Sequence, residues 1–280
     1  MAKRVIRRTV LTVLTLSIVA GCGRQVSKEP PLPPPLPDLQ ATGPAAKPVP
    51  RPWVKAALKK TGGMPTWTQC TKLDFEAVVT AYYRDGGFYL TEHDFEVCPW
   101  SDAIRVTARE PAAKFVWQVV SGQYHMVGGD RRLDVSPVSA FYRDYAEAVH
   151  HIVTAPVRML ERNVVLTRRP AAVQTGGQWY EPIEAKFRAE EVVTKEKERE
   201  KIVVIEPYWT QGIYFQGRDS LLVDMIWLAN PAAQKSLIVR GYDYATIGKD
   251  GVLIPTKIEI FQSGPDALPG ERLAVIDLKQ

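Results

Sequence analysis

From residue 73 onward the apolar positions alternate. In Leu73-Asp74-Phe75-Glu76-Ala77-Val78-Val79, positions 73, 75, 77 and 79 are apolar, the period of a strand with one buried face. Asp85-Gly86-Gly87 supplies turn chemistry, and residues 88–97 follow as a second strand. Ile104, Val106 and Ala108 alternate with Arg105, Thr107 and Arg109. Phe115, Trp117 and Val119 share one face of the next strand, and Ser121-Gly122 turns the chain back into residues 124–127. Further strands are expected at 163–168, 178–183, 202–206, 212–216, 221–228, 237–247, 252–261 and 273–278, with Asp250-Gly251 as a hairpin signal. The run KEKEREK at 195–201 reads as a solvated hairpin tip or a short exposed helix. Short strands joined by tight turns predict antiparallel sheet, roughly a dozen strands in all. No repeat of 20–50 residues is evident.

Two segments change period. Trp53 to Lys60 predicts a short helix stopped by Gly62-Gly63. Ser136 is an N-cap with Pro137 at the first helical position, and Pro156 closes the long helix they open. Val138, Phe141, Tyr142, Tyr145, Val149 and Ile152 form its apolar face; Arg143, Asp144, Glu147, His151 and Thr154 lie on the other side. An aromatic-rich helix face needs a partner, and the sheet is the only large surface available. The class is therefore mainly β (α+β), one folded domain over 53–280.

The first 52 residues are different. Lys3, Arg4, Arg7 and Arg8 precede a short apolar run, Leu11 to Val19, which ends in Ala20-Gly21-Cys22. A basic head, an apolar middle too short to span a bilayer and small residues at a cleavage point describe an export signal over 1–21. Cys directly after Ala-Gly resembles a bacterial lipobox, which implies cleavage before Cys22 and lipid attachment there, palmitate included. An ordinary secretory signal with an incidental Cys22 is the alternative. Residues 22–52 hold ten of the 22 prolines and few large apolar side chains, so they read as an extended linker.

The signal also corrects the charge. The full chain carries +5, but residues 1–21 hold four basic and no acidic side chains. Thirty-six basic residues less four leaves 32 against 31 acidic ones, a formal +1. A nearly neutral domain has no electrostatic footprint for nucleic acid. Cys70 and Cys98 are an even pair in an exported chain, so a disulfide is expected, with two buried thiols as the alternative. A two-residue turn at Asp85-Gly86 sets Cys70 level with Ser101, so a bulge near Cys98-Pro99 would be needed.

Catalytic signatures are absent: no G-x-S-x-G, S-x-x-K, C-x-x-C or H-E-x-x-H occurs. His150 and His151 are about 100° apart on a helix and converge poorly on one metal, so a structural or surface role is expected. Glu92-His93-Asp94 is a weak metal pattern, and a solvent-exposed strand end explains it better. No cofactor, metal or catalytic residue is assigned, and a non-enzymatic role is expected.

Three segments carry a resemblance: Ala57 to Trp67 (ALKKTGGMPTW), Ala146 to Met159 (AEAVHHIVTAPVRM) and Tyr242 to Phe261 (YDYATIGKDGVLIPTKIEIF). They resemble the LolA/LolB-like outer-membrane lipoprotein carrier and receptor superfamily. The resemblance implies an incomplete β-barrel, a curved antiparallel sheet of roughly eleven strands. One long and one short helix would close the concave side, which in the carriers holds acyl chains. The lipid anchor makes the chain more like the anchored acceptor than the soluble shuttle. Trp117, Tyr124, Phe141, Tyr145, Met225 and Trp227 are the expected cavity lining, with a closed core as the alternative. The expected function is a cell-envelope lipoprotein that binds lipid or acyl chains, at the membrane through Cys22, in lipoprotein or lipid trafficking. The alternative is a tethered module that binds an envelope protein or cell-wall partner without cargo. Gly23 after Cys22, in place of Asp, implies by the same kind of resemblance an outer-membrane site facing the periplasm.

Overall fold

Strand β1 (Leu73–Tyr82) shows the alternation predicted for it: Leu73, Phe75, Ala77 and Val79 are buried and their neighbours are less so. Strand β2 (Phe88–Cys98) pairs with it antiparallel, Tyr82 opposite Phe88. The connection is therefore a five-residue loop, 83–87, and not a two-residue turn. Gly86 stands at φ +85°, and the Tyr83 N–H donates to the Gly87 carbonyl. The structure is a computed structural model; it describes residues 36, 38, 39, 51–109, 115–120, 122–128, 131, 132, 137–196, 199–248 and 251–279. The signal over 1–21, Cys22, most of the linker, Ser136 and Asp250 lie outside the described residues.

Beyond β2 the sheet continues through β3 (Ala103–Ala108), β4 (Phe115–Val120), β5 (Gln123–Gly128) and β6 (Arg131–Arg132). On the other side of β1 comes β16 (Pro269–Leu278), so the two ends of the domain pair, Ala77 opposite Leu278. Then follow β15 (Val252–Ser263), β14 (Lys235–Ile247), β13 (Val223–Asn230), β12 (Gln211–Gly217), β9 (Gln178–Phe187) and β7 (Val164–Arg168). Strand β8 (Val173–Thr175) pairs with β9 off this path. These make one antiparallel sheet of fourteen strands among the described residues, wider than the eleven expected. Its end strands, β6 and β7, do not pair, so it is an open, incomplete barrel. The described residues of the KEKEREK run, 195, 196 and 199–201, lie in a separate antiparallel ribbon, β10 (Glu190–Glu196) with β11 (Arg199–Ile205), and not in a helix.

The predicted first helix is α1 (Pro52–Lys60), but Gly62-Gly63 does not end the helical region. Gly62, at φ +117°, turns the chain into a second helix, α2 (Gly63–Gln69). Trp67 on α2 donates from Nε1 to the Thr61 hydroxyl at 2.9 Å, and Trp100 donates to the Trp67 carbonyl at 2.8 Å. Cys70 caps α2 and lies ahead of the first ladder pair, Leu73 with Val97. The expected disulfide is not present: Cys70 and Cys98 are both buried thiols with no bond between them. Burial pushes the Cys98 thiol up, away from the reactive thiolate.

Helix α3 (Pro137–Val153), followed by α4 (Ala155–Arg158), lies in the groove of the sheet. Its Tyr145 meets His93 on β2 and Trp117 on β4, while His151, less than two turns on, meets Phe187 on β9 and Tyr214 on β12. In a flat sheet, β4 and β9 would stand roughly 43 Å apart, nine spacings of about 4.8 Å. Six helical residues rise only about 9 Å. The sheet must therefore curl around the helix.

Each strand of the curled sheet has two faces, and both carry apolar clusters. Tyr214, Ile226, Leu228 and Val239 face the main core with α3. Ile213, Phe215, Met225, Trp227 and Ile238 form a second cluster on the opposite face, with Tyr180, Val173, Phe261 and Ala267. The Trp227 indole donates to the Gly264 carbonyl at 3.1 Å, so the 264–268 loop covers that cluster. Ile226 has no exposed surface. Ile226→Ala is expected to lower unfolding stability by about 2–5 kcal/mol in urea titration; a loss within the scatter of surface changes would contradict this core assignment.

Candidate functional site

The site is the seam between α3 and the curled sheet, and its two halves differ. Toward the start of the described helix side chains, Phe141, Tyr142, Arg143 and Asp144 are only half buried. From Tyr145 to Val153 every residue is buried, whichever way it points. Glu147, His151 and Thr154, expected on a solvent side, are inside. The small residues Ala146, Ala148 and Ala155, with almost no exposed surface, let the sheet close on the helix from all sides. Ala146 and Ala148 stand three and four residues from Val149 and Ile152, so they widen the side of the helix that packs closely.

At the open half, Val79, Ala81, Tyr89, His93, Phe141, Tyr142, Tyr145 and Ala274 ring an apolar cleft of about 200 Å³, its mouth included. The Tyr142 ring lies 4.7 Å from Trp117, and its hydroxyl is 3.5 Å from that of Tyr89. The Tyr145 hydroxyl meets His93 Nδ1 at 3.0 Å, with the Trp117 ring edge-on to the imidazole at 5.1 Å. His93 is thus a core residue, not an exposed strand end. Burial pushes its pKa down to about 4, against the pull of Asp94.

At the closed half lies a polar well of about 370 Å³, again with its mouth; Asp102, Glu147, His151, Arg158, Tyr208 and Trp209 are among its walls. Arg158 on α4 donates to Asp102, in the turn between β2 and β3, and to Glu161 Oε1 at 2.7 Å. His150 Nε2 donates to the Cys98 carbonyl at 3.1 Å, which fixes its tautomer, and His151 Nδ1 pairs with the Tyr214 hydroxyl at 3.3 Å. Burial drives both imidazoles down, His150 to about 4. It drives two carboxyls up, Glu147 to about 7 and Glu161 to about 8. Each of these contacts satisfies a polar group that folding has removed from water.

The six expected lining residues do not form one wall. Trp117 and Tyr145 are buried in the main core, and Tyr124 and Phe141 sit half buried at its rim. Met225 and Trp227 belong to the second cluster, on the far face of the sheet. Their side chains follow the two-residue period of β13, whose inward residues are Ile226 and Leu228. Residues not singled out from sequence are Asp102, Arg158, Tyr208 and Trp209, brought together by topology alone.

Among known proteins, no family model and no curated protein matches this chain. Similar solved structures include a LolA superfamily protein from Nitrosomonas europaea, at 10% identity and TM-score 0.45, covering 81% of this chain and 91% of that one. A DUF1329 family protein from Desulfovibrio piger ATCC 29098 has 13% identity and TM-score 0.47, covering 81% and 90%. An outer membrane lipoprotein-sorting protein domain from Vibrio parahaemolyticus has 7% identity and TM-score 0.44, covering 75% and 83%. The first belongs to the superfamily that the three sequence segments resemble.

A buried histidine that stays neutral makes stability depend on acid. The unfolded imidazole takes up its proton near pH 6.5 and the folded His93 near 4, so stability falls as pH drops through that window. Wild type should lose roughly 3 kcal/mol more between pH 6.5 and 4 than His93→Phe, measured by urea unfolding at each pH. Parallel pH profiles for the two proteins would show that His93 is not held neutral.

Proposed function

We propose that the chain is a cell-envelope lipoprotein, held by acyl groups on Cys22, whose incomplete barrel receives or holds an acyl chain. The role is binding, not chemistry, in lipid or lipoprotein trafficking at the periplasmic side of the outer membrane. The observation that carries this reading is the unequal seating of α3. Its C-terminal half is locked on all sides, whereas Phe141 and Tyr142 cover an apolar cleft from only one. The walls leave no room inside the cleft even for a water molecule, so it is not a preformed ligand pocket. A whole acyl chain therefore requires the Phe141–Tyr142 turn to shift outward, and the apolar walls make that shift favourable only for an apolar guest.

A second reading has its own observation. Phe88 and Leu90 are 61% and 62% exposed near the loop between β1 and β2, and Tyr83 in that loop is exposed beside them. A patch of this kind suits a protein partner of a tethered module that carries no cargo.

The two readings separate in one experiment. Fluorescent fatty acid titrated into the mature chain should bind, and Ala81→Phe, which fills the cleft, should weaken binding at least tenfold. A Phe88→Ser, Leu90→Ser variant should leave it unchanged. Absence of binding by wild type, with a stoichiometric membrane protein retained on a column of it, would favour the second reading.

A further inference from the structure

The segment 206–210, which joins β11 to β12, crosses α3 as a strap over the polar well. One residue fastens it. The Tyr208 hydroxyl donates to the Asp144 carboxylate, and Lys235 Nζ on β14 lies 3.2 Å from that carboxylate and 3.1 Å from the hydroxyl. Arg143 stacks on the Tyr208 ring, its guanidinium carbon 3.9 Å from the ring centre. Asn230 donates to the Tyr208 carbonyl at 2.7 Å. Beside Tyr208, Trp209 is buried, so the strap closes the well with an indole.

Arg143 has a competing neighbour beneath the strap. Its Nε is buried without a hydrogen-bond partner, 3.9 Å from Glu147 Oε1 one turn along α3. A neutral Glu147 leaves the guanidinium on the ring. An ionised one is a buried carboxylate whose paired cation stands 3.9 Å away, so it gains both by drawing Arg143 closer and by admitting water. Every charged or titratable neighbour bears on this balance. Asp144 and His151 face Glu147 from α3 itself, Arg158 from α4, Asp102 from the turn between β2 and β3, and Glu206 and Tyr208 from the strap. Lys235 acts through Asp144. Two further donors in the walls, Trp209 Nε1 and Arg158 Nε, are buried without partners, so water entering the well finds hydrogen bonds waiting there.

We propose that the 206–210 strap is a proton-gated cover, fastened while Glu147 carries its proton and released, with the β10–β11 ribbon, when Glu147 loses it. Burial, with Asp102 next in weight, pushes Glu147 up to about 7, against Arg143 and Arg158, so opening becomes easier as pH rises from about 4.5 to about 7 and levels off above that. An exposed glutamate titrates near 4.5. The open state is therefore favoured about tenfold more at pH 8 than at pH 6, if Glu147 is hydrated when the strap lifts. The gate is independent of what, if anything, the apolar cleft holds.

Amide hydrogen exchange of the full chain tests this, with intrinsic rates divided out at each pH. The amides of 208–211 should lose about tenfold in protection from pH 6 to pH 8, while those of β14 and β15 do not change. Glu147→Gln should keep the strap protected at both pH values. Tyr208→Ala should leave it unprotected at both, which keeps the test valid if the glutamine variant does not fold. Glu161→Gln should retain the wild-type pH change. Constant strap protection in wild type, or an unchanged pH response in Glu147→Gln, would overturn the proposal.

Discussion

An open sheet buries one face only if something lies along it, and here that partner is α3. The helix is enclosed from Tyr145 to Val153, so its polar side chains have little access to bulk water. Each unpaired buried polar group costs about 1–3 kcal/mol, and an unpaired charge more. The buried network follows from that constraint. His150 reaches the Cys98 carbonyl, His151 reaches Tyr214, and Tyr145 reaches His93. Arg158 is held between Asp102 and Glu161. These contacts are the terms on which a histidine-bearing helix can be enclosed by a sheet.

Local patterns in the sequence carried the strands well, because a two-residue period survives wherever one face is wet. The alternation at 73–79 and at 104–108 reappears residue for residue in the burial of β1 and β3. The pattern failed where both faces are covered. Met225 and Trp227 look like lining because they are large and aromatic or flexible, yet on β13 both faces are apolar and the period gives no sign of which is inward. The helix failed similarly: Glu147 and His151 read as a wet face because nothing local says that β9 and β12 return over them. The turn at 83–87 differs from the expected one by a single register step, and Cys70 lies beyond the ladder because it caps α2, three residues before the first pair of β1.

The closed half and the open half of α3 serve different ends. The closed half anchors the helix to strands nine places apart in the sheet, from β4 to β9, and so sets the curl. The open half, around Phe141 and Tyr142, rests on aromatic and apolar contacts that an apolar guest could replace at little net cost. In the reading proposed above, binding by displacement of one helical turn needs no preformed cavity, so a packed groove and an incomplete barrel are compatible with it. It also demands that the rest of the helix stay in place when the turn moves.

A crystal structure of the chain grown with palmitate addresses that demand directly. The predicted result has the acyl chain between Phe141 and Tyr142 on one side and Val79, Ala81 and Ala274 on the other, with residues 146–153 unmoved. A chain bound elsewhere, or α3 displaced as a single rigid body, would contradict the account.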